Sequence, residues 1–327
     1  MSSAVLDVQA LETMVSAAVA APSIHNTQPW RFRLDPETLT LRIYANTDRG
    51  LPHTDPVGRG LHLSVGCAVF NLRVAITHFG REPVTRLLPC PDRPDLLAAV
   101  RLGGPARGSF PGLYDAVRRR HSSRFPFSGR PLPVTALAEL TEAAQAEGAT
   151  LTHFSPSDAD HLLRLTREAE HRNVTDHDRA EESRRWVRAR DGSGLGMPPE
   201  ALGPQDFREA VPMRDFGAHR TPHGLPARTF EKQPAIAVLS TLHDRRADWL
   251  RAGQALQRVL LTATVHGIRT SLLHQALEWP DLRRQLESPP TARTAHAQMV
   301  IRLGYGPEGP ASPRGDVRGV FDSEALS

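Results

Sequence analysis

Two stretches of the chain repeat one design, and that repetition constrains the fold more than any other feature. Leu61 to Phe79 is apolar on nearly every side and stops at Gly80; Trp249 to His266 has the same character and stops at Gly267. Within them, GCAVFNLRVAITHFG and GQALQRVLLTATVHG place glycines at both ends, Gly66 with Gly80 and Gly253 with Gly267, fourteen residues apart in each case. A helix that is apolar all round belongs in the middle of a core, and a glycine just past its end suits a left-handed terminus. Each is followed by a strand-like run, Val84 to Leu88 and Ile268 to Leu273. The chain therefore reads as an internal duplication.

A second parallel supports two halves. Asp7 to Ala20 is an amphipathic helix with Leu11, Met14, Val15, Ala18 and Val19 at helical spacing and Asp7 as a candidate cap. After turn formers at Ser23 to Pro29, Trp30 to Leu34 alternates like a strand and is continued by Leu39 to Tyr44. Leu137 to Ala146, followed by the strand-like Ala149 to Phe154, echoes this order. From the first strand to the apolar helix the first copy takes about thirty residues and the second nearly a hundred, so an insertion is placed at about 155–229. It is charged and broken by Gly and Pro (DGSGLGMPPEALGP), as expected of a lid. The predicted division is 1–110 and 111–327.

Composition narrows the function classes. With 327 residues and 39% hydrophobic content the chain can bury a large core. Its 40 basic residues against 36 acidic ones, with Lys232 the only lysine, are scattered rather than striped with aromatics, which speaks against a nucleic-acid partner. The longest apolar stretches read as too interrupted to cross a membrane, the start MSSAVLDVQALE has no secretory character, and Cys67 and Cys90 form no C-x-x-C pair, so a cytoplasmic location is expected. His171, Asp176, His177 and Asp178 are read as coincidence rather than as a metal site. Gly192, Gly194 and Gly196 lack the strand that a dinucleotide fingerprint requires, and read as a flexible part of the lid.

Three segments carry chemistry. The first is APSIHNTQPW, Ala21 to Trp30, a Pro-stiffened loop between helix and strand whose Ser and Asn can hydrogen-bond a ligand. The second is RRRHSSRF, Arg118 to Phe125, where guanidinium groups and a hydroxyl within five residues can bind a dianion. The third is the closing run IRLGYGPEGPASPRGDVRGVF, which follows a strand at Val300 to Tyr305. Together these resemble the A-P-S-x-x-N-x-Q-P-W, R-[RH]-S-x-R and L-G-Y…P-R-R elements of the nitroreductase-fold FMN flavoproteins.

That resemblance implies an α+β nitroreductase fold in two tandem degenerate copies, a pseudo-dimer with a lid insertion, like the Acg-type branch of the family. It implies FMN, with Arg120, His121, Ser122 and Arg124 on the phosphate. Arg314 completes that set, with Arg318 as the reserve because Gly315 replaces the family's second arginine. Ser23, Asn26 and Gln28 are implied at the ring, His25 and Asn26 on the substrate face, and Gln275 and Ala276, beside His274, in the loop near flavin N5. The first half lacks R-x-S-x-R and the second lacks APSxxNxQPW, so one composite site and one FMN per chain are expected. The implied activity is NAD(P)H-dependent reduction of nitroaromatic, quinone-like or other electron-poor molecules. Flavin sequestration under a lid that blocks NAD(P)H, and an oxidase or dehydrogenase acting on a specialised metabolite, remain as alternatives. No catalytic acid or base stands out, and a monomer or weak homodimer is expected.

Overall fold

The structure, a computed structural model, describes residues 8–187, 192–217, 226–287 and 295–321. Asp7, the candidate cap, lies outside them. The first half runs α1 (Val8–Val19), β1 (Trp30–Asp35), β2 (Thr40–Ala45), α2 (Arg59–His78), β3 (Arg81–Leu87) and β4 (Leu96–Pro105). After α3 (Leu113–Arg119) the second half runs α4 (Val134–Gln145), β5 (Thr150–His153), α5 (Pro156–Thr175), α6 (His177–Arg185), β6 (Gln205–Asp206), β7 (Ala227–Arg228), β8 (Ala235–Thr241), α7 (Arg246–Val265), β9 (Arg269–Leu272), α8 (Pro280–Leu286) and β10 (His296–Gly304).

The duplication is explicit in the strand order. The first sheet is β1-β2-β4-β3 and the second β5-β8-β10-β9, antiparallel throughout, so both place their strands first, second, fourth, third. In the first half a short turn joins the first two strands. In the second, α5, α6, β6 and β7 lie between β5 and β8, which is where the insertion was expected.

α2 and α7 are the two apolar helices, and they cross at their glycines. A Cβ on Gly66 would run into the Leu250 carbonyl and come within 2.9 Å of the Gly253 Cα; one on Gly253 would run into the Leu63 carbonyl. Backbone therefore meets backbone, and the Cys67 thiol donates to the Gly253 carbonyl across the crossing at 3.1 Å. Nearby Gln257 Nε2 donates to Asn71 Oδ1 at 2.7 Å, a second polar link between the two helices. Gly80 and Gly267 end these helices at φ +75° and +67°, the left-handed conformation their position predicted.

One expectation needs correction. The apolar stretches were read as too interrupted to cross a membrane, yet α2, with 20 residues and mean hydropathy 1.3, is long and apolar enough by composition. It is 83% buried inside the fold, so its apolarity serves the core.

Candidate functional site

The loop after α1 is held in an unusual shape. His25, Asn26 and Gln28 all have positive φ, +48°, +54° and +50°, a conformation that costs a non-glycine residue energy and persists only when its surroundings over-determine it. Here they do. The Gln28 N–H donates to Ser23 Oγ at 2.9 Å, the Ile24 N–H to Ser64 Oγ on α2 at 3.2 Å, and Arg49 to the Gln28 carbonyl at 3.0 Å. The Asn26 amide donates to the carbonyls of Gly196 at 2.7 Å and Pro313 at 3.0 Å, and its Oδ1 accepts from Arg314 at 3.0 Å. Gln28 Nε2 donates to the Gly194 carbonyl at 2.6 Å, and its Oε1 accepts from the Gly315 N–H at 3.1 Å.

Asn26 and Gln28 thus tie the insertion and the C-terminal tail to the loop. The glycine stretch read as flexible is pinned at Gly194 and Gly196. Gly194, at φ +69°, lies so close to the tail that a Cβ there would meet the Arg314 carbonyl. Gly194→Ala is expected to loosen this junction. Amide exchange at Gly196 and Gly315 should accelerate by roughly tenfold, in line with about 1–2 kcal/mol for a left-handed non-glycine residue; unchanged exchange would refute the coupling.

The segment after α3 is positioned by the second sheet: Ser122 bridges to Thr270 of β9, and the Ser123 N–H donates to the Thr270 carbonyl at 2.8 Å. This brings Ser23, His25, Asn26, Arg120, His121, Ser122, Arg124 and Arg314 onto the wall of one cleft of ≈ 270 Å³, between the halves. Its floor is apolar, with Leu63 and Cys67 of α2, Leu256 of α7 and Met299 of β10. Gln28, Gln275 and Ala276 are not on the wall: Gln28 braces the loop, Gln275 donates to the Pro212 carbonyl, and Ala276 packs with Leu165, Ala169 and Leu282. Their neighbour His274 does line the cleft. Arg318 sits on the surface, 3.7 Å from Glu12. Asp176 caps α6 by accepting from the Arg179 N–H.

The charges fall into two groups. Arg120 and Arg314 both reach the Ala20 carbonyl, at 3.4 and 3.3 Å, and the Nε of each has no partner. Among the described residues neither has a carboxylate in ion-pair range. Burial pushes Arg120 down to about 10; burial and the neighbouring Arg120 push Arg314 to about 9. A guanidinium stays charged in a protein, so both carry charge that no carboxylate among the described residues compensates. Burial, then Arg120 and Arg314, also lower His121. Arg124 belongs elsewhere. It stacks on Phe216 at 4.6 Å, contacts Met197 Sδ at 3.9 Å and feels Arg214 and Glu170, two insertion residues. The four-residue spacing from Arg120 concealed that separation. Arg214, Phe216 and Glu278 had no motif to announce them.

Residues 117–305 match the model of the Nitroreductase family. The chain belongs to the nitroreductase family. This nitroreductase-family chain is 32% identical over 97% of its length to the Mycobacterium tuberculosis protein provisionally named NAD(P)H nitroreductase Rv3131, of which it covers 92%. It is 28% identical to the protein from the same organism provisionally named NAD(P)H nitroreductase acg, with 96% of each chain covered. Among solved structures, a Bacteroides fragilis nitroreductase with bound FMN aligns with 62% of the chain and 92% of its own, at TM-score 0.39 and 15% identity. The FMN and NADPH-dependent nitroreductase NfnB from a Sphingopyxis strain aligns with 64% of the chain and 97% of its own, at TM-score 0.40 and 15% identity. The nitroreductase fold, in two tandem copies with an insertion, is the architecture of this chain.

Proposed function

We propose that this nitroreductase-family oxidoreductase binds one FMN per chain and uses NAD(P)H to reduce electron-poor small molecules, nitroaromatic or quinone-like. The observation that carries the reading is the pair formed by buried Arg120 and half-buried Arg314, which line one cleft and have no carboxylate in ion-pair range among the described residues. Two cations without a carboxylate partner among the described residues fit a phosphate dianion, and His121 and Ser122 line the same cleft. The apolar floor suits a flat ring. When bound, FMN supplies hydride chemistry at N5.

The chain's own residues do the rest. Residues 111–327 contribute the phosphate end and 1–110 the loop that carries Ser23 and His25. The strained loop fixes its side chains before a ligand arrives, which is pre-organisation. Arg179, Met197 and Ala201 of the insertion line the cleft, where they cover part of a bound ring. Because α2 and α7 already meet within one chain, we assign a monomer or weak homodimer, located in the cytoplasm.

The pinned insertion also favours a second reading, in which the chain sequesters its flavin and denies access to the nucleotide. Anaerobic mixing of the yellow protein with NADPH and with NADH separates the two. Rapid bleaching of the visible flavin band is the expected result. A flavin that dithionite reduces while neither nucleotide does would overturn the reductase reading.

A further inference from the structure

The other charge group sits apart from the Arg120 and Arg314 pair. His25 is 3% exposed, neither of its ring nitrogens has a hydrogen-bond partner, and its ring meets Phe216 edge-on at 5.1 Å. His274, just past β9, has neither ring nitrogen in a hydrogen bond, although its Nε2 lies 3.2 Å from Glu278 Oε1, within ion-pair range. Both imidazoles are on the cleft wall. Four buried ring nitrogens without hydrogen-bond partners are costly unless a ligand satisfies them.

The surrounding charge says which kind of ligand. His25 faces Arg214, Arg124, His274 and Glu278; His274 faces Glu278, Arg214 and Arg124. Glu278 is a fully charged carboxylate, held low by Arg214 and His274, but it is already engaged by Arg214, by Arg179 at 3.7 Å and by the Asn173 amide at 3.4 Å. Glu170 accepts from the Asp215 N–H, and burial raises its carboxyl towards the neutral form. Arg124 has no carboxylate partner among the described residues, only Phe216 and Met197. Positive charge is in excess. Burial, reinforced by Arg214, holds His25 well below the ordinary imidazole range, and burial lowers His274, so both rings are neutral at pH 7.

We propose that His25 and His274, with the Arg124 guanidinium across Phe216, form a subsite for the carboxylate or phenolate oxygen of a small substrate, taken up together with one proton. An oxyanion offers the lone pairs that the guanidinium and imidazole N–H groups lack. The proton follows from geometry. Glu278 Oε1, 3.2 Å from Nε2, favours the proton on that nitrogen, so a neutral His274 presents a lone pair at Nδ1; only the imidazolium carries an N–H towards an anion and another towards Glu278. Glu278 is placed to balance that charge. The subsite refines the proposed function and rests on it, in that the ring fills the remainder of the cleft.

Calorimetric titration of the FMN-loaded protein with 4-nitrobenzoate and with uncharged 4-nitrobenzamide tests this. The carboxylate should bind at least about tenfold tighter, as a charge-assisted hydrogen bond implies. Its affinity should fall by up to about tenfold per pH unit above neutrality, with heats in different buffers reporting uptake of one proton. His274→Gln should abolish both the preference and the proton uptake, and His25→Gln should weaken binding, each at unchanged FMN content as the check on folding. Equal affinity for the two probes without proton uptake, or a His274→Gln variant that behaves as the parent, would overturn the subsite. A colourless protein would instead overturn the FMN reading. The same titration on it, read by the His274→Gln difference, would still decide the subsite.

Discussion

Replacing Arg120 and Arg314 by methionine will leave the protein colourless and will raise the melting temperature of the flavin-free chain. The two effects have one cause. Hydrogen bonds to charged groups are worth about 1.5–3 kcal/mol each, so losing one from each guanidinium weakens FMN binding by roughly 3–6 kcal/mol, on the order of 10²- to 10⁴-fold. In the empty protein the same side chains are cations withdrawn from solvent, Arg120 only 3% exposed and Arg314 half-buried, with no carboxylate in ion-pair range among the described residues. An aliphatic side chain of similar length removes that uncompensated charge, and such exchanges in a protein interior are neutral to stabilising. Visible absorbance of the purified variants gives occupancy, and melting of wild type and variants after flavin removal gives the second effect. Variants that retain full FMN would show that the phosphate lies elsewhere. A lower flavin-free melting temperature would show that the arginines hold the fold through their contacts with the Ala20 carbonyl.

Gly66→Ala or Gly253→Ala will destabilise the protein by about 3 kcal/mol, the upper end of what overpacking usually costs. In an exposed helix the same change stabilises by up to about 1 kcal/mol, so the sign itself is diagnostic. The added methyl at Gly66 meets the Leu250 carbonyl and, at 3.1 Å, the Gln254 nitrogen, both helix backbone that cannot turn aside. The helices must separate. Since Leu63, Cys67 and Leu256 beside the crossing form the cleft floor, FMN affinity should fall with stability. The double variant should cost less than the sum, because one separation relieves both clashes. Denaturant midpoints for the two singles and the double provide the check; single variants as stable as the parent would mean that the crossing is looser than its backbone contacts indicate.

The elements with a strong local pattern were legible in the sequence. α2, α7 and their glycine stops follow directly from apolar residues on every face and a glycine able to take positive φ. β8 was not foreseen, because six of its seven residues are buried and a strand covered on both faces does not alternate. β4 escaped for a similar reason, with Leu96, Leu97 and Ala98 buried in succession. At the site, types and positions were legible but partners were not. Asn26 and Gln28 present amides to any reading of APSIHNTQPW, yet their bonds go to residues more than 160 positions away, which no local pattern encodes. Arg120 and Arg124 share a short motif, but the chain leaves α3 and pairs with β9 between them, which turns one towards the Ala20 carbonyl and the other towards the insertion.

The matched strand order of the two sheets carries a consequence for how such a chain can change. In a homodimer one gene segment writes both subunits, so every substitution is made twice and each motif must serve both places at once. Here each copy is written separately, and α2 can be altered against a constant α7. A loop at Ala21 to Trp30 without a counterpart after α4, and an insertion after β5 without one after β1, are the asymmetries that such independence permits.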